Sequence, residues 1–169
     1  NVLCVDKTGT ITENYMSVSE MIPASSEIPE EAVYELMSDF AAAQNYDNET
    51  MTAVKNYFNR PSGLVALSST GFSSEFKYSS VTFDRGAFVL GAPEFILRDK
   101  FNEYRELIES YSRKGYRVLA FASYSGTING KALTSSVVPV CFIILSNPIR
   151  ENAAETFKYF DEQGVEIKV

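Results

Sequence analysis

The chain has no histidine, which excludes Ser-His-Asp triads, most catalytic zinc sites and the usual general base of neutral pH. Cysteine is scarce. The two present, Cys4 and Cys141, each sit in an apolar run, so both are expected to be buried free thiols rather than a disulfide or redox pair, as suits a reducing compartment. Positive charge is in deficit, with 15 Lys and Arg against 22 Asp and Glu, a net charge of −7 and a pI near 4.7. That balance argues against nucleic acid or an anionic membrane surface as the main partner, while leaving room for a local basic cleft that takes phosphate. Long hydrophobic runs are missing too. The longest, Val137 to Leu145, is broken by Pro139 and falls well short of the roughly 20 residues a spanning helix needs. No Gly-x-x-x-x-Gly-Lys-Ser/Thr occurs, so a P-loop NTPase is excluded. Asn48-Glu49-Thr50 matches a glycosylation sequon, but no secretory feature accompanies it and it reads as chance. There are no internal repeats and no low-complexity linker.

What is present is ordinary for a globular domain: 169 residues, 45% apolar and 22% charged, enough for one good core or one domain plus parts of another. The elements alternate in type. Residues 1–5 read as a buried strand and 17–22 as a short extended piece. "PEEAVYELMSDFAAAQ" from Pro29 reads as a helix, with Pro at its start, two acids in the first turn and an apolar stripe at Val33, Leu36, Met37 and Phe40. A second helix is expected from Glu49 to Phe58, ended by Asn59-Arg60-Pro61-Ser62-Gly63. "GFSSEFKYSSVTFDRGAFVLGAPE" changes the period to two or three antiparallel strands turning at Asp84-Arg85-Gly86. A short helix from Pro93 and a longer one from Phe101 to Ser112 follow. "YRVLAFASYS" and "VVPVCFIILS" read as core strands separated by a turn region at Gly126–Gly130. The chain closes with an amphipathic helix in "RENAAETFKYFDEQG" and the strand "VEIKV". The outer segments, 1–12 and 138–169, have the look of a βαβ parallel sheet, and the middle that of an antiparallel α+β insert. Starting mid-strand and without a leading Met, the chain is expected to be a fragment of something larger.

The opening carries the chemistry. An apolar strand delivers Asp6 into a turn of Lys7, Thr8, Gly9 and Thr10, and open α/β sheets place their sites at such strand ends. A glycine turn can bare backbone N–H groups toward phosphate oxygens, Lys7 can neutralise further charge, and Asp6 can act as a nucleophile that accepts a phosphoryl group. Taken alone, the plainer reading is that Asp6 caps the turn.

The full string "DKTGT", Asp6–Thr10, resembles the phosphorylation motif of the P-type ATPases, ion pumps within the haloacid-dehalogenase-like superfamily. The resemblance extends along the chain in order. "FSSEFKYSSVTF" (72–83) is similar to the family's nucleotide-pocket segment, "LGAPEFIL" (90–97) to its Lys-Gly-Ala-Pro-Glu motif, and "GYRVLAFA" (115–122) to its Gly-x-Arg-x-Leu-x-x-Ala stretch. "SNPIRENAAETFKYFDEQGVEIKV" (146–169) is similar to its Asp-Pro-x-Arg segment and the helix and strand after it. This implies an α/β fold: an antiparallel sheet flanked by helices, inserted into part of a Rossmann parallel sheet. The implied bounds are 1–16 for the start of the phosphorylation domain, 17–143 for the nucleotide-binding domain and 144–169 for the return. The resemblance also implies an ATP-driven, cation-transporting enzyme with an aspartyl-phosphate intermediate, ATP and Mg²⁺ as cofactors, and a location on the cytoplasmic face of a membrane protein. Its implied partners are the remaining domains and transmembrane helices of the same pump and a cation, calcium being the family-level choice; the fragment itself is expected to be a monomer that does not bind nucleic acid.

Carried over residue by residue, the resemblance makes Asp6 the phosphorylated nucleophile, Lys7 a stabiliser of the γ-phosphate, and Thr8 the source of a backbone oxygen for Mg²⁺, with Asp6 and Thr8 the metal ligands. Thr8 stands where hydrolases of the superfamily carry a second Asp as general acid/base, so the aspartyl phosphate should persist. Phe72 would stack on adenine, since every base offers a π-face. Lys77 would form the floor of the pocket, Gly91 would let the ligand approach closely, Arg117 would reach the phosphate or ribose, and Arg150 would contact nucleotide from the hinge side. Several polar contacts are softened. The family's Lys before Gly-Ala-Pro-Glu is Leu90. The acid near adenine aligns with Met51, with Thr50 beside it. The calcium-pump Arg is Ser74, and the hinge Asp is Asn147. The implication is weak, millimolar ATP binding (~4 kcal/mol at 1 mM) and a divergent bacterial branch. Heavy-metal pumps carry a His-Pro pair here, which this chain lacks. The family's Thr-Gly-Asp and Gly-Asp-Gly segments are not among these residues, so binding with little or no turnover is expected. Two rivals are a haloacid-dehalogenase-like phosphatase with a large cap, against which Thr8 counts, and a non-catalytic nucleotide-sensing or interaction module, which leaves an intact "DKTGT" unexplained.

Overall fold

A computed structural model describes the chain from Asn1 to Val169. Its centre is a six-stranded antiparallel sheet in the order β2-β7-β6-β5-β4-β3. The strands are β2 (Ser17–Pro23), β3 (Ala66–Thr70), β4 (Tyr78–Phe83), β5 (Gly86–Gly91), β6 (Arg117–Tyr124) and β7 (Val137–Ser146). Helices cover both faces. On one lie α1 (Glu30–Ala42) and α2 (Glu49–Tyr57), on the other α3 (Pro93–Leu97) and α4 (Phe101–Arg113).

Local sequence explains the helix ends. Pro29 precedes the first turn of α1, where Glu30 and Glu31 suit the positive end of the helix dipole. The Asn48 side chain caps α2 by accepting the Met51 N–H at 2.8 Å. Pro93 opens α3, where its missing N–H costs no hydrogen bond. The stripe Val33, Met37, Phe40 and Ala41 of α1 is buried to 1% exposure or less against Phe121, Cys141 and Ile143 of the sheet. Phe121 sits at the centre, stacked on Phe88 with centroids 5.6 Å apart and edge-on to Phe40 at 5.2 Å. Truncating such a ring to Ala typically costs about 3–5 kcal/mol. The opposite face packs Val89, Ile96, Leu97, Ala120, Phe142 and Ile144.

Strand β7 differs from the expected βαβ arrangement. It belongs wholly to the antiparallel sheet, paired with β2 and β6. The parallel part consists of β1 (Val2–Cys4) and β8 (Glu166–Lys168), paired Val2 to Glu166 through Cys4 to Lys168, with α5 (Ala153–Glu162) against β8. With so little covering it, β1 is not the buried strand its apolar run suggested. Val2 is 55% exposed and Cys4 is exposed, whereas Cys141 is fully buried as expected. Two further corrections concern strands. β3 is an additional edge strand, and residues 71–77, where Phe72 and Lys77 lie, form a loop rather than the start of a strand. No helix is long and apolar enough to cross a membrane.

Candidate functional site

Five segments meet at one end of the sheet around a cavity of about 760 Å³. Five residues singled out in the sequence line it: Thr50 at the start of α2, Phe72 and Lys77 from the 71–77 loop, Gly91 at the end of β5 and Arg117 at the start of β6. Phe72 is 43% exposed, a ring not claimed by the core. The loop that carries it closes on itself. The Lys77 N–H donates to the Ser73 carbonyl at 2.8 Å and the Phe76 N–H to the Ser73 hydroxyl at 3.1 Å, with Lys77 in the left-handed region at φ 57°. Gly91 is required by the chain itself. A Cβ there would lie 2.1 Å from the Lys77 carbonyl oxygen and 2.7 Å from Tyr78 Cα. The Arg117 guanidinium lies at the edge of the cavity, donating to Thr50 Oγ1 at 3.3 Å and reaching the Met16 sulfur at 3.9 Å.

Leu90 and Met51 also line the cavity, both nearly buried. Sequence reasoning missed Gln44, Tyr46, Glu49, Glu94 and Tyr116, which share the wall. Gln44 is fixed by donating its side-chain N–H to the Ser80 carbonyl at 3.0 Å, and its backbone carbonyl accepts from the Lys55 ammonium at 2.8 Å. The connection between α1 and α2 is therefore tied to the sheet, which carries Tyr46 and Glu49 to the cavity. The available hints were proximity in sequence, of Gln44, Tyr46 and Glu49 to Thr50, and of Glu94 and Tyr116 to the motif residues Gly91 and Arg117.

Ser74, Asn147 and Arg150 lie outside the cavity. Ser74 is exposed on the 71–77 loop. The Asn147 amide donates to the Tyr15 carbonyl at 2.9 Å. The Arg150 side chain is spent on the Asp6 loop, donating to the carbonyls of Gly9 at 2.7 Å and Thr12 at 3.1 Å.

Asp6 follows β1, exposed and in an extended conformation. The loop after it is closed by the Thr12 N–H donating to the Lys7 carbonyl at 3.2 Å, with Gly9 at φ 78°. Contrary to the expectation of a bare glycine turn, the Gly9 N–H is already taken by the Thr12 hydroxyl at 3.2 Å. The Lys7 ammonium reaches across to the turn between α4 and β6, 3.4 Å from where a Gly115 Cβ would stand. That turn leads directly into Tyr116 and Arg117 of the cavity. No cluster of three or more Asp, Glu or Cys side chains forms a metal cage. Asp6 and the Thr8 carbonyl could contribute to Mg²⁺ binding only together with ligand phosphates, which is how Mg²⁺ usually binds beside nucleotides.

A six-stranded antiparallel sheet with flanking helices and a cavity at its end has the architecture of an ATPase nucleotide-binding domain. Comparison with known proteins names the family. The chain is 35% identical over 170 residues to the calcium-transporting ATPase CtpE of Mycobacterium bovis, a match covering 100% of this chain and 21% of CtpE. Its fold superposes on a zinc-transporting PIB-type ATPase in the E2.Pi state with a TM-score of 0.72 and 18% identity, covering 98% of this chain and 24% of the other. It superposes on the catalytic domain of the CPx-ATPase CopB-B with a TM-score of 0.60 and 14% identity, covering 98% and 51%. No protein-family model matches the chain. Over its whole length the chain is similar to cation-transporting P-type ATPases, and it spans about a fifth of the length of the curated relatives it matches.

Proposed function

We propose that this chain is the ATP-binding part of a cation pump, with residues 1–16 and 144–169 contributed by the phosphorylation domain and 17–143 forming the nucleotide domain. The supporting observation is convergence. Thr50, Phe72, Lys77, Gly91 and Arg117 come from four segments yet share one cavity, and the Lys7 ammonium of the aspartate loop lies beside the neighbouring turn, 3.4 Å from where a Gly115 Cβ would stand. In this reading adenine stacks on Phe72, the Lys77 ammonium and Arg117 guanidinium take phosphate or ribose oxygens, and Thr50 lines the same wall. Asp6 is the nucleophile. Its carboxylate oxygen bonds to the γ-phosphorus as the bond to the bridging oxygen of ADP breaks, giving an aspartyl phosphate and ADP. Lys7 offsets the charge that develops on the transferring group. Mg²⁺, held by Asp6 and the Thr8 carbonyl with the nucleotide phosphates, would supply charge neutralisation. The aspartyl phosphate is long-lived because position 8 is a threonine, leaving no carboxylate there to activate water.

The remaining domains and membrane helices of the pump are the partners, and a cation is the cargo. Calcium is proposed on the likeness to CtpE, which is described as calcium-transporting. The cytoplasmic face of a membrane follows from the same reading. A titration of the chain with Mg-ATP, followed by amide NMR, tests it. Saturable shifts around Phe72, Lys77, Gly91 and Arg117 that disappear in Phe72→Ala and Lys77→Ala are expected. No shifts up to about 10 mM in a folded chain would mean that Leu90 and Met51, which line the cavity, have emptied the site, since millimolar binding corresponds to about 4 kcal/mol.

A further inference from the structure

We infer that Gln44 reads the base: its side-chain Oε1 accepts from the 6-amino group of adenine and makes the cavity select adenine over a 6-oxo purine. This rests on the reading that the cavity holds a nucleotide with its base against Phe72. Gln44 stands in the connection between α1 and α2 and is 3% exposed, yet it lines the cavity. A buried amide is costly to leave unpaired, and the few buried polar groups of a pocket wall are what give it specificity.

The bonding of this amide leaves one acceptor over. Nε2 donates one of its two N–H groups to the Ser80 carbonyl at 3.0 Å. That bond also fixes which way round the amide stands, because the reverse would set two oxygens against each other. The other bonds of Gln44 run through its backbone, to Ala41 and Lys55, so Oε1 accepts nothing from the chain. Oε1 is not sealed in either, since Arg98 Nε is the only side-chain nitrogen or oxygen both enclosed and without a partner. It therefore opens on the cavity that Gln44 lines.

The group is held in place. The Lys55 ammonium that binds the Gln44 carbonyl also pairs with Asp47 at 2.6 Å. Tyr46 abuts the chain just before Phe72, where a Cβ on Gly71 would stand 3.2 Å from Tyr46 Cβ. The connection thus lies against the segment that carries the stacking ring, which sets Gln44 on the base's side of the cavity. Met51 and Leu90 offer that side apolar contact, and the Ser79 hydroxyl is directed to the Leu90 carbonyl at 3.5 Å. Adenine presents an amino donor beside an acceptor ring nitrogen, and a glutamine amide can pair with both. Oε1 takes the amino group and the second Nε2 N–H is left for the ring nitrogen. A 6-oxo purine turns an oxygen toward Oε1 instead, two acceptors opposed in a buried place.

The test titrates the ¹⁵N-labelled 169-residue chain by NMR with Mg-ATP and with Mg-ITP, as wild type and as Gln44→Met. Wild type is expected to bind Mg-ATP at least about tenfold more tightly than Mg-ITP, with the Gln44 side-chain amide resonances moving as Mg-ATP saturates. Gln44→Met is expected to bring the two Kd values within twofold of each other. Wild-type Kd values within twofold overturn the inference and leave the nucleotide reading standing. So does a folded Gln44→Met that keeps the tenfold preference. If Gln44→Met does not fold, the wild-type ratio and the Gln44 amide shifts decide alone. Absence of Mg-ATP binding, with no shift at Phe72 or Lys77, removes the nucleotide reading and the inference with it.

Discussion

Replacing Lys77 by glycine should move stability and ligand affinity in opposite directions. Lys77 holds φ 57°, a left-handed conformation that costs an L side chain about 1–2 kcal/mol. Glycine removes that cost but gives back about 0.4–1 kcal/mol through the larger freedom of its unfolded chain. The net gain should be about 0.5–1 kcal/mol, or roughly 1–4 °C in Tm for a chain of this size. The backbone has reason to stay put, because the Lys77 carbonyl accepts the Ala92 N–H at 3.0 Å and the Lys77 N–H reaches Ser73 at 2.8 Å. The same substitution deletes the ammonium of a residue that lines the cavity. At an exposed position a charge-assisted contact to phosphate is worth about 1.5 kcal/mol, so the Mg-ATP Kd should rise about tenfold. Calorimetric melting and an NMR titration on the same sample read both quantities. Lys77→Ala is the control, expected to lose the same affinity without the gain in Tm. An unchanged Kd in both variants would remove Lys77 from the binding site. A lower Tm in Lys77→Gly would refute the strain argument.

Gly91→Ala should destabilise the fold by up to about 3 kcal/mol in urea unfolding, since its Cβ would press on the Lys77 carbonyl at 2.1 Å. Asp39→Asn should cost about 2–3 kcal/mol with Mg-ATP affinity unchanged, because the buried carboxylate accepts from the Ser62 hydroxyl at 2.6 Å and from the Gly63 and Leu64 N–H groups at 2.9 and 3.2 Å. Burial pushes the Tyr124 phenol up, but the N–H groups of Thr134 and Ser135, donating to it at 3.2 Å each, outweigh this and hold it at about 8. The folded value lies below the unfolded one, so this stabilisation is present above about pH 10 and lost as pH falls through about 8. Ultraviolet titration, undisturbed by tryptophan, should show one of the ten tyrosines ionising early, and Tyr124→Phe should abolish both that step and the rise in stability between pH 8 and 10.

Much of this was legible in the sequence where local chemistry decides the outcome. Pro29 with Glu30 and Glu31, Pro93 and the turn at Asp84-Arg85-Gly86 marked their elements because caps and turns are local events. The motif stretches around Phe72, Lys77, Gly91 and Arg117 indicated residues that the fold brings to one cavity. What failed depended on distant neighbours. β3 escaped because a serine-rich edge strand with a register shift between Ala66 and Ser68 lacks the alternation that marks a half-buried strand. Cys4 looked buried because apolar runs usually are, but its two-stranded sheet offers little cover. The hold of Arg150 on the carbonyls of Gly9 and Thr12 was not visible because those partners lie 141 and 138 residues away.

The pairing of β2 with β7 has a consequence for how such a chain is assembled and changed. The antiparallel sheet is entered at Ser17 of β2 and left at Ser146 of β7, and those two residues are register partners on adjacent strands. Its ends therefore stand one strand spacing apart, roughly 5 Å. A domain whose ends touch can be added to, removed from or exchanged within a host without moving the host's own strands. It is a cassette in the geometric sense: the stretch between Ser17 and Ser146 can lengthen or shorten without separating its two ends.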